Sequence, residues 1–145
     1  MKTHEKYMHR CIELGKAAKG HGESPVGAIL VKDNKILAEG IEAVKNHNDI
    51  TYHAEIEAIR RIIHNYGVTD LSDYTLYTTH EPCIMCAYVI RHHKIGRIVW
   101  GISIDETGGH SSAYDILQDK TIKKWGSIPK LIPRVCESEC RELHE

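Results

Sequence analysis

Between Tyr74 and Trp100, a strand former, a helix former and a second strand former follow one another with little chain left for turns. Tyr74 to Thr79 (YTLYTT) is built from aromatic and β-branched residues, which suit a pleated surface. Pro82 then sits where a first helical turn tolerates a missing N–H, ahead of a helix predicted over Cys83 to His93. Ile95 to Trp100 (IGRIVW) supplies the next strand. Upstream, Ala54 to His64 carries Ile56, Ile59, Ile62 and Ile63 on one stripe, with Glu57, Arg60 and Arg61 mostly elsewhere, and Gly67 ends that helix. Strand, helix, strand, helix, strand in this order predicts a mixed or parallel sheet with helices on both faces.

The flanks extend the pattern. Thr3 to Lys19 places Tyr7, Met8, Cys11, Ile12, Leu14 and Ala18 at helical spacing, and Gly20 and Gly22 stop it. Val26 to Val31 and Lys35 to Gly40 flank Asp33-Asn34, which reads as a hairpin. After Gly101 the pattern weakens to a polar loop, a short helix over Ser112 to Gln118, a strand near Leu131 to Cys136 and a short terminal helix. With 145 residues, 41% of them apolar, and neither repeat nor linker, residues 1–145 are expected to form one domain. Nineteen basic against twenty acidic side chains show no excess of the kind a dedicated nucleic-acid binder carries, although a local patch can hide in a neutral total. No apolar run approaches the ~20 residues of a membrane span, and Met1 to Gly20 lacks a signal-peptide core, so a cytoplasmic protein without membrane contact is expected.

Two short motifs carry the chemistry, each at the start of a predicted helix: His53-Ala54-Glu55 and Pro82-Cys83-Ile84-Met85-Cys86. Cys83 and Cys86, three apart, share a helix face and can chelate one ion. With one imidazole they leave a tetrahedral zinc with an open fourth position for water, and Glu55 can take and deliver that water's proton. Helix starts favour this arrangement, because their unpaired N–H groups and positive dipole ends stabilise thiolates. Other readings exist for each motif alone. A C-x-x-C is often a redox pair or half of a structural zinc site, and Cys11, Cys136 or Cys140 can in principle supply a fourth ligand. The redox reading lacks its context here, since the proline precedes the first cysteine.

An H-x-E triplet followed by P-C-x-x-C is the signature of zinc-dependent deaminases. With it, the chain resembles the cytidine deaminase-like superfamily, and within it bacterial tRNA-specific adenosine deaminases and their guanine deaminase relatives. The likeness runs through Pro25 to Ala28, Asp49 to Ile56, Glu81 to Ala87 and Ile95 to Gly101, and on through Thr107 to Gly109, Asp115 to Leu117 and Glu139 to Leu143. It implies a three-layer α/β/α sandwich around a central mixed five-stranded sheet. It also implies zinc on His53, Cys83 and Cys86, Glu55 as proton shuttle, and a homodimer with active sites near the subunit interface.

Two departures bear on the substrate. The purine-acting relatives usually carry an asparagine eleven residues before the zinc histidine, where this chain has Glu42. An ionised glutamate offers acceptors only, so Glu42 suits a ring presenting N–H or NH₂ donors, unless it points into solvent. The tRNA enzymes also extend past the E-C-x-x-L segment with a basic helix, whereas this sequence reaches Glu145 two residues after Leu143. Phosphate contacts dominate nucleic-acid affinity, so both features favour a free small-molecule substrate, a nucleobase, nucleoside or related amino-heterocycle. A tRNA adenosine deaminase is the alternative, and a zinc-stabilised binding module without catalysis is a third reading, which the presence of Glu55 disfavours. Ala54, His80, His110 and Tyr114 are further candidates to line the pocket, with packing or surface roles as the alternative.

Overall fold

The computed structural model describes residues 2–145. Helix α1 (Lys2–Gly20) buries Tyr7, Met8, Cys11, Ile12 and Ala18 of the stripe its spacing predicts, while Leu14 is only half-buried. Strands β1 (Gly27–Lys32) and β2 (Lys35–Ile41) pair antiparallel. Both turn residues take positive φ, 51° at Asp33 and 61° at Asn34. Such a turn matches the right-handed twist of its strands, and Asn and Asp tolerate it better than most residues.

One helical turn, α2 (Val44–His47), was not expected from the sequence. Its N-cap, Ala43, has no capping side chain. Glu23 takes that role from some twenty residues upstream, accepting from the Lys45 and Asn46 backbone N–H groups at 2.9 and 2.6 Å. Helix α3 (Ala54–Tyr66) follows and buries Ile56, Ile59 and Ile62. Full burial of one such side chain is worth about 1.5–3 kcal/mol, so this stripe outweighs propensity differences of a few tenths per residue. Gly67 closes the helix at φ 65°.

Strand β3 (Thr75–His80), helix α4 (Ile84–His92), strand β4 (Arg97–Ile102), strand β5 (Lys130–Ile132) and helix α5 (Glu137–Glu142) complete the chain. The sheet runs β2-β1-β3-β4-β5, with β1 antiparallel to both its neighbours and β3, β4 and β5 parallel. It is the mixed five-stranded sheet expected.

Alternation of side chains sorts the core into two layers. Ala28, Leu30, Leu76, Ile98 and Trp100 face α3 and α4. Ile29, Val31, Tyr77 and Val99 face α1 and α5. Helix α3 sits so close to β2 that a Cβ on Gly40 would collide with the Ala54 carbonyl.

The late segment is more irregular than its sequence suggests. The helix expected over Ser112 to Gln118 shrinks to a 3₁₀ turn at Ile116–Gln118. Upstream of it, the amides of His110 and Ser111 bind Glu81 and the Ser112 hydroxyl binds the Gly108 carbonyl. The last strand ends at Ile132, where Pro133 has no N–H to donate. No helix among the described residues is long and apolar enough to cross a membrane.

Candidate active site

The strand directions create the site. Because β1 runs antiparallel to β3, the start of β1 and the end of β2 lie beside the carboxyl ends of β3 and β4. Open α/β sheets bind ligands at such an edge. A cavity of about 240 Å³ opens there, lined by Val26, Glu42, His80, Ile104 and Thr107 together with His53, Glu55 and Cys83.

His53 is the N-cap of α3, and Cys83 is the N-cap of α4 with Cys86 in its first turn. The two thiol sulfurs lie 3.5 and 3.4 Å from His53 Nδ1. A tetrahedral zinc with Zn–N near 2.05 Å and Zn–S near 2.3 Å needs an N···S edge of about 3.6 Å. The three donors therefore fit one zinc ion without rearrangement, and they form a group of metal-binding type.

Their titration reflects mutual contact. Hydrogen bonding to Cys83 raises the His53 imidazole to about 9, against burial. Hydrogen bonding from Cys86 lowers the Cys83 thiol to about 4, while sharing with Cys83 and burial push Cys86 well up.

Glu55, only 3% exposed, follows His53 by two residues and points into the same space. Burial, reinforced by the charge of Glu42, raises its carboxyl to about 8. The Thr78 hydroxyl donates to Glu55 Oε2 at 3.2 Å, which leaves Oε1 for substrate or water. A carboxyl poised near neutrality can both accept and release protons at working pH.

Glu42 does line the cavity, and its Oε1 accepts from the Ala54 backbone N–H at 3.0 Å. Ala54 is fully buried, so its N–H is spent on that bond. Burial raises the Glu42 carboxyl above its ordinary value.

His80 lines the cavity with its ring 4.6 Å from that of His144, edge to face. Burial lowers His80 to about 4, so its ring is neutral. Tyr114 is 64% exposed and does not line this cavity, and His110 pairs with Asp115 at 3.0 Å instead.

Sequence reasoning gave no role to three residues. Thr78 could have been found, because period-2 alternation puts it on the α3 side of β3 with Leu76. His144 carried no signal. Glu81 stood within the Glu81 to Ala87 likeness without a role; it is a carboxylate only 2% exposed, whose Oε1 accepts from Ile104 N–H at 2.9 Å and whose Oε2 accepts from His110 and Ser111 at 2.8 and 2.7 Å. It ties residues 104–111 to the cysteine segment, alongside the Ile84 N–H to Thr107 carbonyl and Gly109 N–H to Pro82 carbonyl bonds.

Residues 1–102 match the family model for the cytidine and deoxycytidylate deaminase zinc-binding region. The chain belongs to this family. It is a zinc-dependent deaminase, with the three-layer fold that its neighbours share. A Haemophilus influenzae protein named tRNA-specific adenosine deaminase is 42% identical over 116 residues, 79% of this chain and 67% of that one. A solved structure from a study of A-to-I editing by tRNA:A34 deaminases at the wobble position of transfer RNA superposes with a TM-score of 0.87. It is 30% identical and covers 95% of this chain and 98% of that one. Guanine deaminase from Bacillus subtilis is 37% identical with a TM-score of 0.66, covering 69% and 64%.

These matches overturn the expectation of a free nucleobase or nucleoside as substrate. Sequence likeness over most of the chain is to tRNA adenosine deaminases, at 42% identity over 79% of it and 30% over 95%, whereas guanine deaminase from Nitrosomonas europaea covers 97% of it at only 18% identity and shares the fold alone. Glu42 and the near-neutral charge also argue less for a free ring than residue type and composition suggest. Glu42 spends an oxygen on Ala54 rather than leaving both for the ring. A neutral total charge does not set the local potential that an RNA loop meets.

Proposed function

We propose that this protein hydrolyses the 6-amino group of adenosine in a tRNA anticodon loop, giving inosine and ammonia. The 42% identity to a tRNA-specific adenosine deaminase, joined to 30% identity over 95% of this chain with the tRNA:A34 deaminase structure, carries this reading. In it, His53, Cys83 and Cys86 hold one zinc ion, residues 1–145 form a single catalytic domain, and the protein acts in the cytoplasm as a homodimer.

When bound, zinc supplies the Lewis acidity that makes water an effective nucleophile near neutral pH. The protein's own residues manage position and protons. The α3 and α4 starts fix the donors, and Glu42 anchors the first turn of α3 through Ala54. Glu55 Oε1, left free by Thr78, takes a proton from the attacking water and gives it to the ring nitrogen next to the reacting carbon; it then takes the remaining proton from the new hydroxyl and gives it to the departing amine, which leaves as ammonia. A 240 Å³ cavity admits one extruded base, and the neutral His80 ring offers that base an apolar edge.

The test is a synthetic anticodon stem-loop carrying adenosine at the wobble position, incubated with zinc-loaded protein and digested for nucleoside mass spectrometry. Inosine is expected at that position, with a loss of at least about 10²–10⁴-fold in Glu55→Gln at unchanged zinc content. Absence of inosine with fully zinc-loaded protein would refute the assignment.

A further inference from the structure

On the opposite face of the sheet from Glu55 and Cys86, α1 and α5 bring together three side chains that the deamination chemistry does not use. They are His9 on α1, Glu139 on α5 and Cys136 at the α5 N-cap, and their ligand atoms all lie within 4.8 Å of one another. We infer that His9, Cys136 and Glu139 form a second, exchangeable zinc site that ties α1 to α5.

Spacing and donor chemistry carry the inference. His9 Nε2 lies 3.5 and 3.2 Å from the two Glu139 oxygens. A tetrahedral ion with Zn–N and Zn–O near 2.05 Å needs an edge of about 3.4 Å, which these distances bracket. An imidazole, a thiol and a carboxylate are all ligands that zinc takes, and core packing of α1 against α5, with Lys19 bonded to the Leu143 carbonyl, already holds the two helices that carry them side by side. The surroundings are negative, since the Glu139 and Glu5 carboxylates both act on the Cys136 thiol. Glu5 precedes His9 by one helical turn, which puts a second carboxylate on that side of α1. A divalent cation relieves this potential and displaces the thiol proton as it binds.

Half of the His9 and Glu139 side-chain surface is open to water, at 53% each. The ion therefore exchanges more readily than one held by His53, Cys83 and Cys86, none of which is exposed. Its consequence reaches that site through the backbone. Helix α5 leads directly into Leu143 and His144, and His144 lines the catalytic cavity. An ion joining α5 to α1 holds that wall in place.

The experiment is a zinc titration of the holoenzyme, its catalytic equivalent already bound, against a chromophoric chelator, repeated for Cys136→Ser and His9→Gln. Wild type is expected to take a second equivalent that raises its thermal midpoint, and each variant to bind it at least tenfold more weakly. Titrating Co²⁺ into the same zinc-loaded proteins should give near-ultraviolet thiolate absorption in wild type and none in Cys136→Ser. His9→Gln alters an exposed side chain, so its fold is preserved and its result stands if Cys136→Ser misfolds. A wild type that takes no second equivalent, or variants that bind it as tightly as wild type, would overturn the inference.

Discussion

Glu81→Gln tests whether one buried carboxylate organises the wall of the catalytic cavity. The native side chain is 2% exposed and receives three backbone N–H bonds, from Ile104, His110 and Ser111. A glutamine keeps the shape but has one accepting oxygen. Turned toward His110 and Ser111 it retains two bonds and sets its NH₂ against the Ile104 N–H. The lost charge-assisted bond is worth about 1.5–3 kcal/mol, and the stranded donor costs about 1–3 kcal/mol more. The two remaining bonds fall from charged to neutral acceptors, about another 1 kcal/mol together.

Against this stands the relief of burying a neutral group rather than an ion, which in some proteins makes buried charges dispensable. That relief follows when both partners are replaced together. Here the three N–H donors stay, so loss of the acceptor wins and the net destabilisation is about 2–5 kcal/mol, a large fraction of a domain's total. Urea unfolding of zinc-loaded wild type and variant measures it as a shift in midpoint at constant slope. Zinc affinity should fall as well, because residues 104–111 are bonded to the Pro82 and Ile84 backbone around Cys83. A destabilisation below about 1 kcal/mol with unchanged zinc affinity would refute the reasoning.

Two further outcomes follow from named contacts. Glu42→Asn keeps an oxygen for the Ala54 N–H and offers the cavity a donor, so kcat/KM on the adenosine stem-loop should rise by about tenfold, the ~1.4 kcal/mol of one hydrogen bond; a fall would show that the carboxylate itself reads the substrate. Glu39→Gln should cost at most about 1 kcal/mol at pH 7, because Arg10 and Glu39 are partly exposed. Hydrogen bonds from Arg10 hold the Glu39 carboxyl below its ordinary value, so the native state binds fewer protons. The wild-type advantage is therefore present above pH ~4.5 and fades as pH drops through the folded-state pKa. Chemical denaturation from pH 3 to 7 measures the difference, and an advantage independent of pH would contradict it.

The sequence by itself determined the elements whose signals are local. The Ile56, Ile59 and Ile62 stripe, the Asp33-Asn34 turn and the two β-branched runs around α4 each state their structure within a dozen residues. It also pointed to the candidate donor set, because the same patterns predict helix starts at His53 and at Cys83 to Cys86, where the structure has them.

Tertiary structure decided what depends on partners far apart in the chain. Glu23 caps α2 across twenty residues, Thr78 sets the free oxygen of Glu55, Glu81 gathers three amides of a later loop, and His144 arrives at the cavity from the end of α5. Glu42 shows the difference most clearly. Its acceptor-only chemistry was readable from residue type, but one of its oxygens is committed to the Ala54 backbone, and only the packing of α3 against the end of β2 reveals that. Helix periodicity and turn chemistry are encoded over a few neighbouring residues. The partner of a buried polar group is fixed only once the sheet order brings distant segments to one edge.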